Sequence, residues 1–118
     1  MAPVSPNRSV AIVEALADAE YETVAASQTD QVMGGNGATG DVLYGILYVP
    51  GTTTAGAVSI KDGGGSSISL FVGGGTTALV DLRPQWVGFG PGLVSTAGPW
   101  KVTTGANVTA IGVGKFTA

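Results

Sequence analysis

An antiparallel β-sandwich is the fold class this sequence predicts, and three observations predict it. Valine, threonine, serine and glycine fall in short runs that alternate in polarity, the period of a half-buried strand. Clusters drawn from 20 glycines punctuate those runs, and glycine supplies the positive φ that tight turns require. There is no cysteine, so no disulfide framework exists, yet 118 residues are enough to bury a core unaided. One domain is expected, with residues 1–20 as an N-terminal arm or short helix and 21–118 as the sandwich.

The arm comes first. Pro3 and Pro6 keep residues 1–8 irregular, and Ser9 is placed to cap a short helix over about 10–19. Val10, Val13, Leu16 and Ala17 fall near helical spacing there. Such a helix is too short to stand alone in water, so it docks on its own sandwich or reaches a neighbour. Both readings stay open at the level of sequence.

From Tyr21 the period changes to two. Tyr21, Thr23 and Ala25 share one face of a first strand, with Glu22, Val24 and Ala26 on the other. Gly34-Gly35-Asn36-Gly37 forces a loop. Val42–Val49 is a nearly continuous apolar strand stopped by Pro50-Gly51. Strict alternation puts Leu43, Gly45, Leu47 and Val49 on one of its faces and Val42, Tyr44, Ile46 and Tyr48 on the other. A strand apolar on both sides expects a core within and something else without. Ala57–Lys61 and Ile68–Val72 flank Asp62-Gly63-Gly64-Gly65 and read as a hairpin.

Thr77–Leu82 is expected as the next strand, ended by Arg83-Pro84. Trp86, Val87 and Phe89 follow in a stretch so punctuated by glycine and proline that irregular chain is expected, with a brief strand at Leu93–Ser95. Pro99–Thr103 and Val108–Phe116 close the chain. Seven or eight short strands at about ten-residue spacing point to a sandwich of jelly-roll-like form.

Charge restricts function. Charged residues are 11% of the chain, against about 25% in an ordinary globular protein. With 44% hydrophobic residues the chain is nevertheless no disordered segment. So few charges imply that serine and threonine solvate the surface and that part of it is covered in an assembly. Five of the eight acids lie in the first 30 residues, and after Asp81 only Arg83, Lys101 and Lys115 carry charge. No basic face for nucleic acid results, and no apolar run nears the ~18 residues of a membrane-spanning helix. Glu14 and Asp18 interrupt the apolar stretch 10–19, so no export signal is expected.

Residues for chemistry are scarce. Histidine and cysteine, the usual proton shuttle and soft nucleophile, are both missing. No serine stands recognisably with a lysine or carboxylate base, and the glycine clusters lack the lysine-serine/threonine ending of a phosphate loop. Asp41, Asp62 and Asp81 sit at strand ends, where aspartate serves turns. Asp30, Asp41 and Asp62 are loop oxygen donors without the dense spacing of a calcium site. No enzyme activity, cofactor or metal is expected. Of the aromatic residues Trp86, Phe89 and Trp100, one tryptophan is assigned to the core, while an exposed one suits an interface anchor or a sugar-stacking platform.

Four segments carry a resemblance. They are Tyr21-Glu22-Thr23-Val24-Ala25-Ala26-Ser27-Gln28-Thr29-Asp30-Gln31-Val32; Gly40-Asp41-Val42-Leu43 leading to Val49-Pro50; Gly56-Ala57-Val58-Ser59-Ile60-Lys61-Asp62-Gly63; and Gly98-Pro99-Trp100-Lys101-Val102-Thr103-Thr104-Gly105-Ala106-Asn107-Val108. In order and spacing they resemble a family of small virion-structural proteins of tailed bacteriophages, over the chain from Tyr21 onward. The resemblance implies a capsid decoration (cement) protein, jelly-roll-like and dimeric or trimeric. Such a protein is made in the host cytoplasm and bound to the outer head surface, where it bridges major capsid protein subunits. It implies no nucleic-acid or membrane partner. Residues 1–20 lie outside it. The partner contacts expected here are Val10, Ile12, Val13 and Leu16 in the arm, with Trp86 and Phe89 as anchors. The alternatives are another virion component (tail, neck or head-fibre base) and a carbohydrate-binding or adhesin module.

Overall fold

The computed structural model describes residues 19–73 and 82–118. Eight strands lie among them: β1 (Glu20–Val24), β2 (Gln31–Val32), β3 (Val42–Pro50), β4 (Val58–Asp62), β5 (Ile68–Phe71), β6 (Gln85–Val94), β7 (Trp100–Thr104) and β8 (Val108–Lys115). They form two four-stranded antiparallel sheets, ordered β1-β8-β3-β6 and β2-β7-β4-β5, and no helix occurs among the described residues. The expected β-sandwich is the observed architecture.

The strand order is nested. β1 pairs with β8, β2 with β7, β3 with β6 and β4 with β5, as in one long antiparallel ribbon whose tip is the β4–β5 hairpin. Two further pairings, β3 with β8 and β4 with β7, fold the ribbon over and complete the sheets. Each successive strand in the second half therefore crosses from one sheet to the other. β7 and β8, joined by Gly105-Ala106-Asn107, belong to different sheets for this reason.

Between the sheets the core gathers Val24, Met33, Leu43, Ile46, Tyr48, Val58, Ile60, Trp100, Val102, Val108 and Ala110. Alternation explains most of it. In β7, Trp100, Val102 and Thr104 are buried while Lys101 and Thr103 are not. In β8, Val108, Ala110, Gly112 and Gly114 point inward. Trp100 is the core tryptophan, and its indole N–H donates at 3.2 Å to the carbonyls of both Asp41 and Leu93, tying β7 to the opposite sheet. Tyr48 stacks on Phe71 across the layers, ring centroids 5.0 Å apart.

β3 departs from strict alternation. Its register shifts between Leu43 and Gly45 against both neighbours, so Tyr44 is an extra, bulged residue. Leu43 therefore joins Ile46 and Tyr48 in the core, and Gly45, Leu47 and Val49 turn outward. The expected faces hold after the bulge and reverse before it. Tyr44 sits with Val42 over Gly92, where any Cβ would collide with both side chains.

The stretch around Trp86 and Phe89 is not irregular. It is the ten-residue strand β6, which absorbs the brief strand expected at Leu93–Ser95. β6 pairs with β3 at residues 85–88 and again at 93 and 94, leaving Phe89, Gly90, Pro91 and Gly92 out of register opposite the bulge. Gly90 and Gly92 have φ of 60° and 113°, so glycine permits the excursion that composition alone reads as a break. The helix expected over 10–19 and most of the strand expected at Thr77–Leu82 lie outside the described residues.

Candidate interaction surface

The carboxylates behave as fasteners. Asp62 accepts hydrogen bonds from the Ser95 hydroxyl, the Thr96 N–H, the Thr96 hydroxyl and the Ala97 N–H, at 2.9–3.1 Å. Led by the Thr96 N–H, these donors hold its carboxyl below the ordinary carboxylate pKa of 3.8. Asp41 is buried, which raises its pKa, but bonds from the Thr117 hydroxyl and the Ala38 and Thr117 N–H groups outweigh burial and lower it. Glu22 accepts from Gly34 N–H and Gln31, and Glu20 accepts from Phe116 N–H. Asp30 accepts from the Thr103 hydroxyl and pairs with Lys61 at 3.4 Å.

Each of the described acids is thus committed to holding a loop or strand end. Among the described residues no group of three or more acids converges to hold a metal. A depression of about 430 Å³ is lined by Glu20, Gly40, Asp41, Val42, Lys115, Phe116 and Thr117, and both of its carboxylates are engaged, Asp41 by Ala38 and Thr117 and Glu20 by the Phe116 N–H.

The more informative feature is a contrast between the two outward faces. On the β2-β7-β4-β5 sheet, Lys101, Thr103, Ser59, Lys61 and Ser69 face out, and Asp30 pairs with Lys61 at the margin. That face is dressed for water. The β1-β8-β3-β6 sheet is dressed differently. Its register lines up Thr23, Ile111, Leu47 and Trp86 in one row across all four strands. Tyr21, Val113, Gly45 and Gly88 form the next row, Val49 stands beside Thr109, and Val42 lies between Lys115 and Val94. Lys115 is the one charged side chain among these outward strand positions, and no acid is among them.

Trp86 dominates one side of this face. A Cβ placed on Gly45 would collide with the Trp86 ring, and one on Gly88 would stand 2.9 Å from its indole nitrogen. The indole therefore lies flat across two opposed glycines, with 55% of its surface exposed. Tyr21 and Val94 are exposed at 72% and 59%. A broad ring held flat by backbone and left open on its other side is a rigid anchor, which costs little conformational entropy to dock.

The expected contact residues divide accordingly. Trp86 is outward and exposed. Phe89, three residues on and so on the opposite side of β6, packs partly buried against the core. Val10, Ile12, Val13 and Leu16 lie outside the described residues. Sequence reasoning missed Ile111, Leu47, Val113 and Tyr21 as members of one surface, because pairing between strands far apart in sequence sets them side by side. The signal that was available is the apolar character of both faces of β3. Comparison with family models, with curated proteins and with solved structures finds no match to this chain.

Proposed function

We propose that this protein is a non-enzymatic virion component, a decoration protein that binds the outer surface of a bacteriophage head and stabilises the shell by bridging major capsid protein subunits. One observation carries the reading: a single, nearly uncharged, apolar sheet face with a flat tryptophan anchor, opposite a face of ordinary polarity. Binding surfaces are depleted in charge and enriched in aromatic residues in just this way. The four segments that resemble phage structural proteins support it. So does the nested strand order, which we read as a jelly roll, an architecture shared by viral capsid and lectin domains. Weak contacts repeated by a multimer over neighbouring capsid subunits gain avidity from effective concentration.

The test is the copy number of this chain in purified particles, measured by quantitative mass spectrometry against the major capsid protein. The expected ratio is between about one-third and one, because closed multimers spread over the whole shell supply that stoichiometry. A ratio below a few per cent transfers the protein to the tail, neck or a fibre base, and absence from particles overturns the virion reading.

A second reading is favoured by Trp86 specifically. An exposed indole fixed flat on glycine also suits stacking against a sugar ring, as in a carbohydrate-binding module or adhesin. Against it, the row that holds Trp86 continues into Leu47 and Ile111 and offers a sugar's hydroxyls few partners. Glycan-dependent quenching of Trp86 fluorescence that disappears in Trp86→Phe is the outcome that would favour it.

A further inference from the structure

We infer that the outward face of the β1-β8-β3-β6 sheet docks on the same face of a second copy of this chain, forming a two-fold face-to-face dimer. The inference assigns the surface described above to self-association, the step that builds the multimer the decoration reading calls for, but it does not depend on the decoration role.

Three observations commit the face to a second copy. The first is charge. A partner chosen by electrostatic complementarity would need charges to read, and among the described strand positions of this face the one charge is Lys115, at the end of the inner strand β8. An uncharged face meets its own copy without repulsion. A two-fold axis lying in the interface across the strands sends the two Lys115 side chains to opposite ends, about four residues beyond the Ile111 row on each side.

The second is area. Four strands about 4.8 Å apart and roughly seven residues at about 3.4 Å give a face of about 19 by 24 Å. Two such faces remove on the order of 1,000 Å² from water, the size at which an interface becomes specific rather than incidental.

The third is shape. With Gly45 and Gly88 beneath it, Trp86 stands one ring thickness above bare backbone, while Leu47, Ile111 and Val113 fill the centre. Such a low apolar relief is what aligned sheets pack together at about 10 Å separation. Among the described residues the opposite sheet turns Lys61 and Lys101 outward.

Sedimentation equilibrium of the full chain from about 1 to 100 µM, with acrylamide quenching of its two tryptophans, tests this. Trp100 is buried in the monomer, so Trp86 reports on the face. The expected mass is twice the 11.6 kDa of the chain, with both tryptophans shielded. Leu47→Lys places a charge at the centre of the face and is expected to weaken association by at least about 30-fold, the effect of a hot-spot substitution. Its Trp86 then becomes quenchable. Ser69→Lys, on the other sheet, is expected to leave the dimer intact.

A wild-type chain at single-chain mass throughout overturns the inference, whatever the state of Trp86. Shielding of Trp86 in that monomer would show the face covered by the chain's own N-terminal segment. A three-chain mass, or a dimer that survives Leu47→Lys, overturns it as well. None of these results bears on copy number in particles, so the two proposals fail separately.

Discussion

Trp86 and the glycines beneath it show how one residue type licenses another. Gly45 and Gly88 are opposed in the β3–β6 ladder, and only hydrogen on both lets the indole lie flat there. Gly45→Ala is expected to push the ring off the sheet, and its methyl would also crowd the Val87 carbonyl at 2.7 Å. A cost of about 1–3 kcal/mol follows from overpacking at such a site. Thermal unfolding would measure it, and a red shift of the Trp86 emission would report the lost seat.

Asp62 makes the second prediction at this scale. Its lowered pKa means that its stabilisation is complete above the ordinary value of 3.8 and is lost as pH falls through the still lower folded value. Stability is therefore expected to hold from pH 7 to about 5 and to drop below about 4, with Asp41 contributing in the same direction. Asp62→Asn is expected to cost about 1–2 kcal/mol at pH 7, since an amide cannot satisfy the same donors. It should also flatten the acid limb, so that mutant and wild type converge as pH falls through the lowered folded value. Parallel denaturation curves at all pH values would contradict this.

At the scale of elements, the seams between sheets are polar and specific. Trp100 holds β7 to the start of β3 and the end of β6 through one bifurcated N–H. Trp100→Phe keeps most of the apolar volume but strands two carbonyls, and a loss of about 1–3 kcal/mol in chemical denaturation is expected. Strand positions were largely legible: β3, β4, β5, β7 and β8 fall within a residue or two of the periodicity that predicts them. β6 was not. Glycine and proline at 88, 90, 91 and 92 argue against a strand, yet the edge position tolerates Pro91 and the bulge opposite absorbs the extra residues. The two-residue β2 is too short to leave any period. Its register with Val102 and Lys101 comes from tertiary pairing alone.

For the whole molecule, the nested ribbon separates the roles of the two sheets and puts both termini of the sandwich at one place. β1 and β8 are neighbours, and Glu20 at the start of β1 pairs with Gly114 near the end of β8. Removing residues 1–19 is expected to leave the sandwich folded, because every described strand lies beyond them, and to reduce occupancy on particles. Far-ultraviolet circular dichroism checks the first outcome and particle pull-down the second. Normal occupancy of the truncated chain would remove the arm from the binding account.

The amino-acid sequence by itself determined the all-β class, the turns and most strand interiors, because alternation and glycine placement are local and each strand carries its own period. It also marked β3 as apolar on both sides. The tertiary structure decided which residues share a face. Thr23, Ile111, Leu47 and Trp86 are scattered over more than half the chain, and only cross-strand register sets them in one row. A single bulge at Tyr44 exchanges inside for outside along the first part of β3, a displacement of one residue that no periodicity encodes. Composition places apolar residues in strands. Pairing between distant strands decides whether they become core or contact surface.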